Sequence, residues 1–185
     1  MSYILSFIVA FGVTFIAGQI LVPLLRKWKA GQSIREDGPT WHMSKQGTPT
    51  MGGLCFIFGI LVTLGLVWGM FHNQLPEVLG LPQMKAGMMV LFLAFGSGLI
   101  GFLDDFIKVI KHRNLGLTEA QKMILQIALT FGFMFGLNSL GLLTTQVQLP
   151  IFGLVDMGLV YYPIAFFGII FLVNAVNLTD GLDGL

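Results

Sequence analysis

Charge is what this sequence has least of. Only 10% of its 185 residues are Asp, Glu, Lys or Arg, against about 25% in an ordinary soluble domain. That scarcity excludes a soluble globular fold. The net charge of +1 identifies no partner, and no nucleic-acid partner is expected. Cysteine is almost missing too. The single Cys55 cannot form an intrachain disulfide. Set in an apolar run, it reads as a small core residue rather than a reactive thiol. Met1 to Leu25 contains no charge, and the basic cluster Arg26, Lys27 and Lys29 follows it. A cleavable signal peptide has the reverse order, so this run is a retained helix with its N-terminus outside. Internal repeats and low-complexity segments are absent, and residues 1–185 read as a single integral membrane domain.

Apolar length is what the chain has in quantity. It is 55% hydrophobic with a mean hydropathy of +0.84, and it holds 17 Phe and 24 Gly. Small residues let helix backbones approach in lipid. A spanning helix needs about 20 mostly apolar residues. Five runs meet or approach that length: roughly Tyr3 to Leu25, Met51 to Phe71, Ala86 to Leu103, Met123 to Leu143 and Gly158 to Val176. The third is the shortest, and its helix is expected to continue into the aspartates that follow. The fold class is an all-α polytopic membrane protein with five transmembrane helices.

The connections alternate in charge. The first, Arg26 to Thr50, holds five basic residues; the second, His72 to Lys85, holds one. The third, Asp104 to Lys122, holds four, and the fourth, Thr144 to Met157, holds none. Lys and Arg collect on the cytoplasmic side. Connections one and three are therefore cytoplasmic, two and four external. The fifth helix then delivers Asn174 to Leu185 to the cytoplasmic face. Within the fourth connection, Gln146-Val-Gln-Leu-Pro-Ile-Phe-Gly-Leu alternates polar and apolar and breaks at Pro150 and Gly153. A short external β-hairpin near residues 144–156 is expected.

Every polar cluster falls on the cytoplasmic side. Gly96-Ser-Gly-Leu-Ile-Gly-Phe-Leu-Asp-Asp-Phe-Ile-Lys108 ends an apolar run in adjacent carboxylates, Asp104 and Asp105. Carboxylates beside a run of membrane length are expensive and point to function. Two of them with phosphate oxygens suit Mg²⁺, which takes one or two protein carboxylates and keeps its waters. The alternative is a solvated helix end with Asp104 paired to Lys108 at i,i+4. The closing stretch places Asn177, Asp180 and Asp183 three residues apart, near one face of a helix. Gly181 and Gly184 loosen that helix and offer backbone amides. The alternative there is a helix terminus with local Asn and Asp caps. In the first cytoplasmic loop, Gly47, Pro49, Gly52 and Gly53 fix an unusual backbone path. Thr48 and Thr50 offer hydroxyls, and Lys45 offers a point charge for phosphate. No Gly-Lys-Ser/Thr follows these glycines, which excludes a Walker loop. His42, alone in a loop, reads as solvated.

Three stretches in order carry a family likeness: Gly47-Thr-Pro-Thr-Met-Gly-Gly53, Phe102-Leu-Asp-Asp-Phe-Ile-Lys108 and Asn174-Ala-Val-Asn-Leu-Thr-Asp-Gly-Leu-Asp-Gly-Leu185. Together they resemble the bacterial phospho-N-acetylmuramoyl-pentapeptide transferase family, within the polyprenyl-phosphate N-acetylhexosamine-1-phosphate transferase superfamily. The resemblance implies transfer of phospho-MurNAc-pentapeptide from UDP-MurNAc-pentapeptide to undecaprenyl phosphate, with Mg²⁺, giving lipid I and UMP. It implies a multi-pass protein of the bacterial inner membrane, a homodimer, with its site on the cytoplasmic face. By matched position, Asp104 resembles the residue that contacts or deprotonates the lipid phosphate. Asp105 resembles a metal or positioning partner, and Asn177 and Asp180 resemble residues near the metal and diphosphate. Asp183, with Gly181 and Leu182, resembles the uridine-binding edge. Lys45 and Thr50 match positions lining the nucleotide pocket, and Lys108 and Lys122 are further candidates for phosphate contacts. A GlcNAc-1-phosphate transferase using the same lipid is the neighbouring reading, and a transporter or scaffold the reading of a different class. A transporter favours polar groups near mid-membrane, whereas here they gather at one face. The sequence stops inside the third signature, and the family's enzymes have roughly ten helices. A further metal-binding Asp and a His-rich motif are expected beyond Leu185. Residues 1–185 are expected to be a fragment, inactive alone.

Overall fold

The computed structural model describes residues 2–27, 51–72, 80–111 and 116–179. Its helices are α1 (Ser2–Lys27), α2 (Leu54–Phe71), α3 (Leu81–Lys111), α4 (Glu119–Ser139) and α5 (Tyr161–Thr179). Between α4 and α5 lie strands β1 (Gln146–Leu149) and β2 (Gly153–Asp156), then a short 3₁₀ turn at Gly158–Val160. Among the described residues, four segments are long and apolar enough to cross a membrane: Ile4–Lys27, Leu81–Lys111, Glu119–Ser139 and Gly158–Asn177. The apolar part of α2, Leu54–Met70, falls just short of that length. At 1.5 Å per residue the whole of α2 reaches about 27 Å, close to a hydrocarbon core of about 30 Å.

The third apolar run, the shortest of the five in the sequence, lies within the longest helix among the described residues. With 31 residues, α3 extends about 46 Å. Pro82 is tolerated in its first turn, where a missing N–H costs no helical bond. At its far end the helix runs on through Asp104 and Asp105, as the sequence leads one to expect. Lys108 and Lys111 occupy the last turn, where cations favour the helix dipole.

The chain divides into two compact units. One comprises Met1–Gly80 with Gly98–Thr118, the other Leu81–Ser97 with Glu119–Leu185. In the first unit, α1 packs on α2. A Cβ placed on Gly59 would collide with the Thr14 hydroxyl and lie 3.3 Å from the Ala10 carbonyl. Glycine is what permits that approach. The Thr63 hydroxyl donates to the Gly59 carbonyl at 2.8 Å, which satisfies it within its own helix. Cys55, one turn before Gly59, is buried, in keeping with a small core residue.

In the second unit, the first half of α3 packs along α4. Gly96 lies against Leu129, Gly132 against Phe92, and Gly136 against the Met89 sulfur. Small residues on each helix thus receive large ones from the other. Most outward side chains are apolar; Phe7, Phe131 and Phe171 are each more than 60% exposed, as a lipid-facing surface requires.

The expected hairpin is present. β1 and β2 pair antiparallel, with Gln146 opposite Asp156 and Leu149 opposite Gly153. Gly153 has φ +72°, a left-handed conformation that glycine adopts at no steric cost. The Asp156 carboxylate accepts from the Thr145 hydroxyl at 2.5 Å and from the Gly158 N–H at 3.0 Å. These donors hold its pKa below the ordinary value, the Thr145 hydroxyl contributing most.

Candidate functional site

Asp104, Asp105 and Lys108 form one cluster in the last two turns of α3. Asp104 is 6% exposed. Its Oδ2 pairs with Lys108 Nζ at 2.6 Å, and its Oδ1 accepts from the Leu117 backbone N–H at 2.8 Å. A buried carboxylate is tolerated when paired and hydrogen-bonded, and both conditions are met. Lys108 Nζ also reaches Asp105 Oδ1 at 3.0 Å. Asp105 is the more open of the two, its side chain 30% exposed against 8% for Asp104. Adjacent helical residues point about 100° apart, which is why one carboxylate is enclosed and the other is not.

The enclosing wall is Gly116. A Cβ there would overlap the Asp104 carbonyl and carboxylate oxygens. Only glycine lets the chain before α4 lie against the α3 terminus. The i,i+4 pair weighed from the sequence therefore exists, but not as a solvated helix end. Asp104 is an internal anchor that holds Lys108 on one oxygen and the chain entering α4 on the other.

Lys122 and Asn177 belong to the other unit. Lys122 is half-buried in the first turns of α4, and Asn177 is exposed near the end of α5. Lys45, Thr50, Asp180, Gly181, Leu182 and Asp183 lie outside the described residues, so their candidate roles rest on the sequence. The described chain just past Thr50 is unusual. Met51 has φ +65°, a left-handed conformation that costs a side-chain-bearing residue about 1–2 kcal/mol. Turn hydrogen bonds, including Leu54 N–H to the Met51 carbonyl at 3.1 Å, then lead into α2.

One polar pair went unrecognised in the sequence. Asn174 on α5 donates to Gln126 Oε1 on α4 at 2.7 Å, and Gln126 Nε2 returns a long bond of 3.5 Å to Asn174 Oδ1. Gln126 is 5% exposed, and Thr130, one turn on, is 2% exposed. Interhelical bonds of this kind contribute about 0.6 kcal/mol on average in membranes. The available signal was an amide side chain inside each of two apolar runs.

Among the described residues, no three His, Cys, Asp or Glu gather as a metal cage. Within the α3 cluster it is Asp105 that offers a partly open carboxylate. That suits Mg²⁺, which is commonly held by one or two carboxylates together with waters and substrate phosphates. It does not suit a metal needing an all-protein cage.

Several apolar helices of membrane length, one of them ending in a buried aspartate, a more open aspartate and the lysine they share, describe a multi-pass membrane protein with a charged cluster at a helix end. The chain belongs to glycosyl transferase family 4, whose model matches residues 87–185, more than half its length. Residues 45–57 also match signature 1 of phospho-N-acetylmuramoyl-pentapeptide-transferase. Curated proteins of that name are similar to nearly all of the chain. One from Desulfitobacterium hafniense is 45% identical over 174 residues, covering 94% of this chain and 49% of the relative. One from Halalkalibacterium halodurans is 44% identical over 183 residues, covering 98% and 53%. One from Clostridioides difficile is 44% identical over 179 residues, covering 96% and 52%. The chain spans about half the length of the curated relatives it matches.

Proposed function

We propose that the protein transfers phospho-MurNAc-pentapeptide from its UDP carrier to undecaprenyl phosphate, forming lipid I and releasing UMP. A lipid-phosphate oxygen forms a new P–O bond to the sugar-bearing phosphorus. The diphosphate bond breaks, and UMP leaves with its oxygen. Such transfer needs chiefly positioning and charge stabilisation. The observation that carries the reading is the division of labour between adjacent carboxylates. Asp104 is locked to Lys108 and Leu117, while Asp105 is partly open beside the same lysine.

In this reading Asp105 and Asp180 hold Mg²⁺, which when bound stabilises charge on the transferring phosphoryl group. Lys108, clamped by two carboxylates, presents its charge in a fixed place. Asp104 acts through Lys108 and the chain entering α4 rather than as a proton acceptor. A phosphate with a second pKa near 6 is largely ionised at neutral pH and needs no strong base. Lys45 and Thr50 contact the nucleotide, and Asn177 and Lys122 contact phosphates. Asp183, Gly181 and Leu182 receive the uridine. The active site faces the cytoplasm from a bacterial inner membrane, and the protein is a homodimer. The charge alternation of the connections and the family similarity support these assignments.

Substrate choice tests the proposal. The natural protein is incubated with undecaprenyl phosphate, Mg²⁺ and either UDP-MurNAc-pentapeptide or UDP-GlcNAc, and UMP release is measured. Release with the muramoyl substrate is expected. Release with UDP-GlcNAc alone would move the protein to the neighbouring branch, and release with neither would end the transferase reading.

A further inference from the structure

Asn174 uses both hydrogens of its amide. One goes to Gln126 Oε1 at 2.7 Å, the other to the Ile170 carbonyl one turn back on α5 at 2.8 Å. The side chain is therefore pinned to its own helix and to α4 together. Gln126 is buried, so water does not replace that partner. Buried amides in an apolar surround must find a protein partner. The pair thus fixes both the rotation and the axial position of α5 against α4 at one point. Asn177 follows Asn174 by three residues on the same helix, a rise of about 4.5 Å. The described helix ends at Thr179, directly before the Asp180 stretch. The Gln126–Asn174 pair thus holds α5 less than one turn before Asn177.

We infer that Gln126 is a positioning residue for nucleotide-substrate binding. It holds Asn174, and through Asn174 sets the rotation of the α5 turn that carries Asn177. The inference rests on the transferase reading above. Gln126 itself lies outside the stretches whose likeness suggested that reading. Its side chain bonds across α4 and α5, not toward a substrate. Its effect is indirect: loss of the acceptor frees α5 to turn, and a misplacement of about 1 Å at a reacting group can cost 10²-fold.

The test is steady-state kinetics of the natural protein in detergent with three variants. Gln126→Met keeps length and apolar packing but removes the acceptor. Gln126→Asn keeps the amide but shortens its reach by one methylene. Gln126→Glu keeps the acceptor oxygen. The expected result is a rise of about tenfold in KM for UDP-MurNAc-pentapeptide with Gln126→Met and Gln126→Asn. KM for undecaprenyl phosphate stays within twofold, and Gln126→Glu restores most of the loss. If Gln126→Met does not fold, Gln126→Asn carries the comparison. Unchanged nucleotide KM in the folded variants overturns the inference. Equal changes for both substrates, or no difference between Glu and the other variants, would reduce Gln126 to a packing role and overturn it too. An inactive natural protein would instead strike the transferase reading itself.

Discussion

The Leu117 backbone N–H donates to the Asp104 carboxylate at 2.8 Å, across thirteen residues of chain. This bond ties the end of α3 to the chain entering α4. It leaves Asp104 as an anchor and Asp105 as the more open carboxylate. Asp104→Asn keeps an acceptor for Leu117, whereas Asp104→Ala removes it and leaves a partly buried donor unpaired. An unsatisfied buried group costs about 1–3 kcal/mol. Thermal unfolding in detergent is expected to rank natural above Asn above Ala. Equal midpoints for Asn and Ala would show that the bond to Leu117 contributes nothing.

Gly116 makes that bond possible. A side chain there meets backbone as well as carboxylate oxygen of Asp104, and backbone cannot rotate aside. Gly116→Ala is expected to lower stability by about 1–3 kcal/mol, as overpacking does. Gly101→Ala, with nothing within 4 Å of the added carbon, is the control. Chemical denaturation of the two variants separates them, and matched curves would contradict the close approach.

The gross plan was legible because hydropathy and alternation report burial directly. The spanning helices, the hairpin at Gln146 to Asp156, and the run of α3 into Asp104 all follow from patterns continuous along the chain. Of the partners of Asp104, Lys108 was legible at i,i+4, but Leu117 was not, because it is a backbone N–H thirteen residues away and backbone donors carry no residue signature. Only Gly116 hinted at close approach. The Gln126–Asn174 pair spans 48 residues, and no local pattern links an amide in one apolar run to an amide in another. The length of α3 was understated because Leu81 to Lys85 is polar enough to end a hydropathy window, yet wholly compatible with helix.

The hairpin has its own pH signature. The Asp156 pKa is lowered by the Thr145 hydroxyl and the Gly158 N–H. A depressed folded pKa adds stability above the unfolded value, near 3.8, and that stability is lost as pH falls through the folded pKa. Strand pairing is therefore expected to weaken in acid, below the ordinary carboxylate range. Carbon-13 NMR titration of Asp156 in the natural protein and in Thr145→Val checks this. The variant should titrate at the higher pH; coincident curves would contradict the hydrogen bond.

Membrane sidedness is testable one residue at a time. In a Cys55→Ala background, Ser2→Cys, Lys45→Cys and Asp105→Cys are exposed to an impermeant thiol reagent in vesicles of either orientation. Lys45→Cys and Asp105→Cys are expected to react from the cytoplasmic side, and Ser2→Cys from the outside. Labelling of positions 45 and 105 from opposite sides would end their assignment to one site.

The most direct measurement is transfer itself, by the natural protein and by Asp105→Asn and Asp180→Asn. UMP release and appearance of the labelled sugar in the lipid phase are followed together with UDP-MurNAc-pentapeptide, undecaprenyl phosphate and Mg²⁺. The expected result is equal UMP and lipid-linked sugar from the natural protein. Each variant should fall at least about tenfold, roughly 1.4 kcal/mol of barrier, with its unfolding midpoint unchanged. Near-natural turnover in both variants would contradict a phosphoryl-transfer site built on these carboxylates.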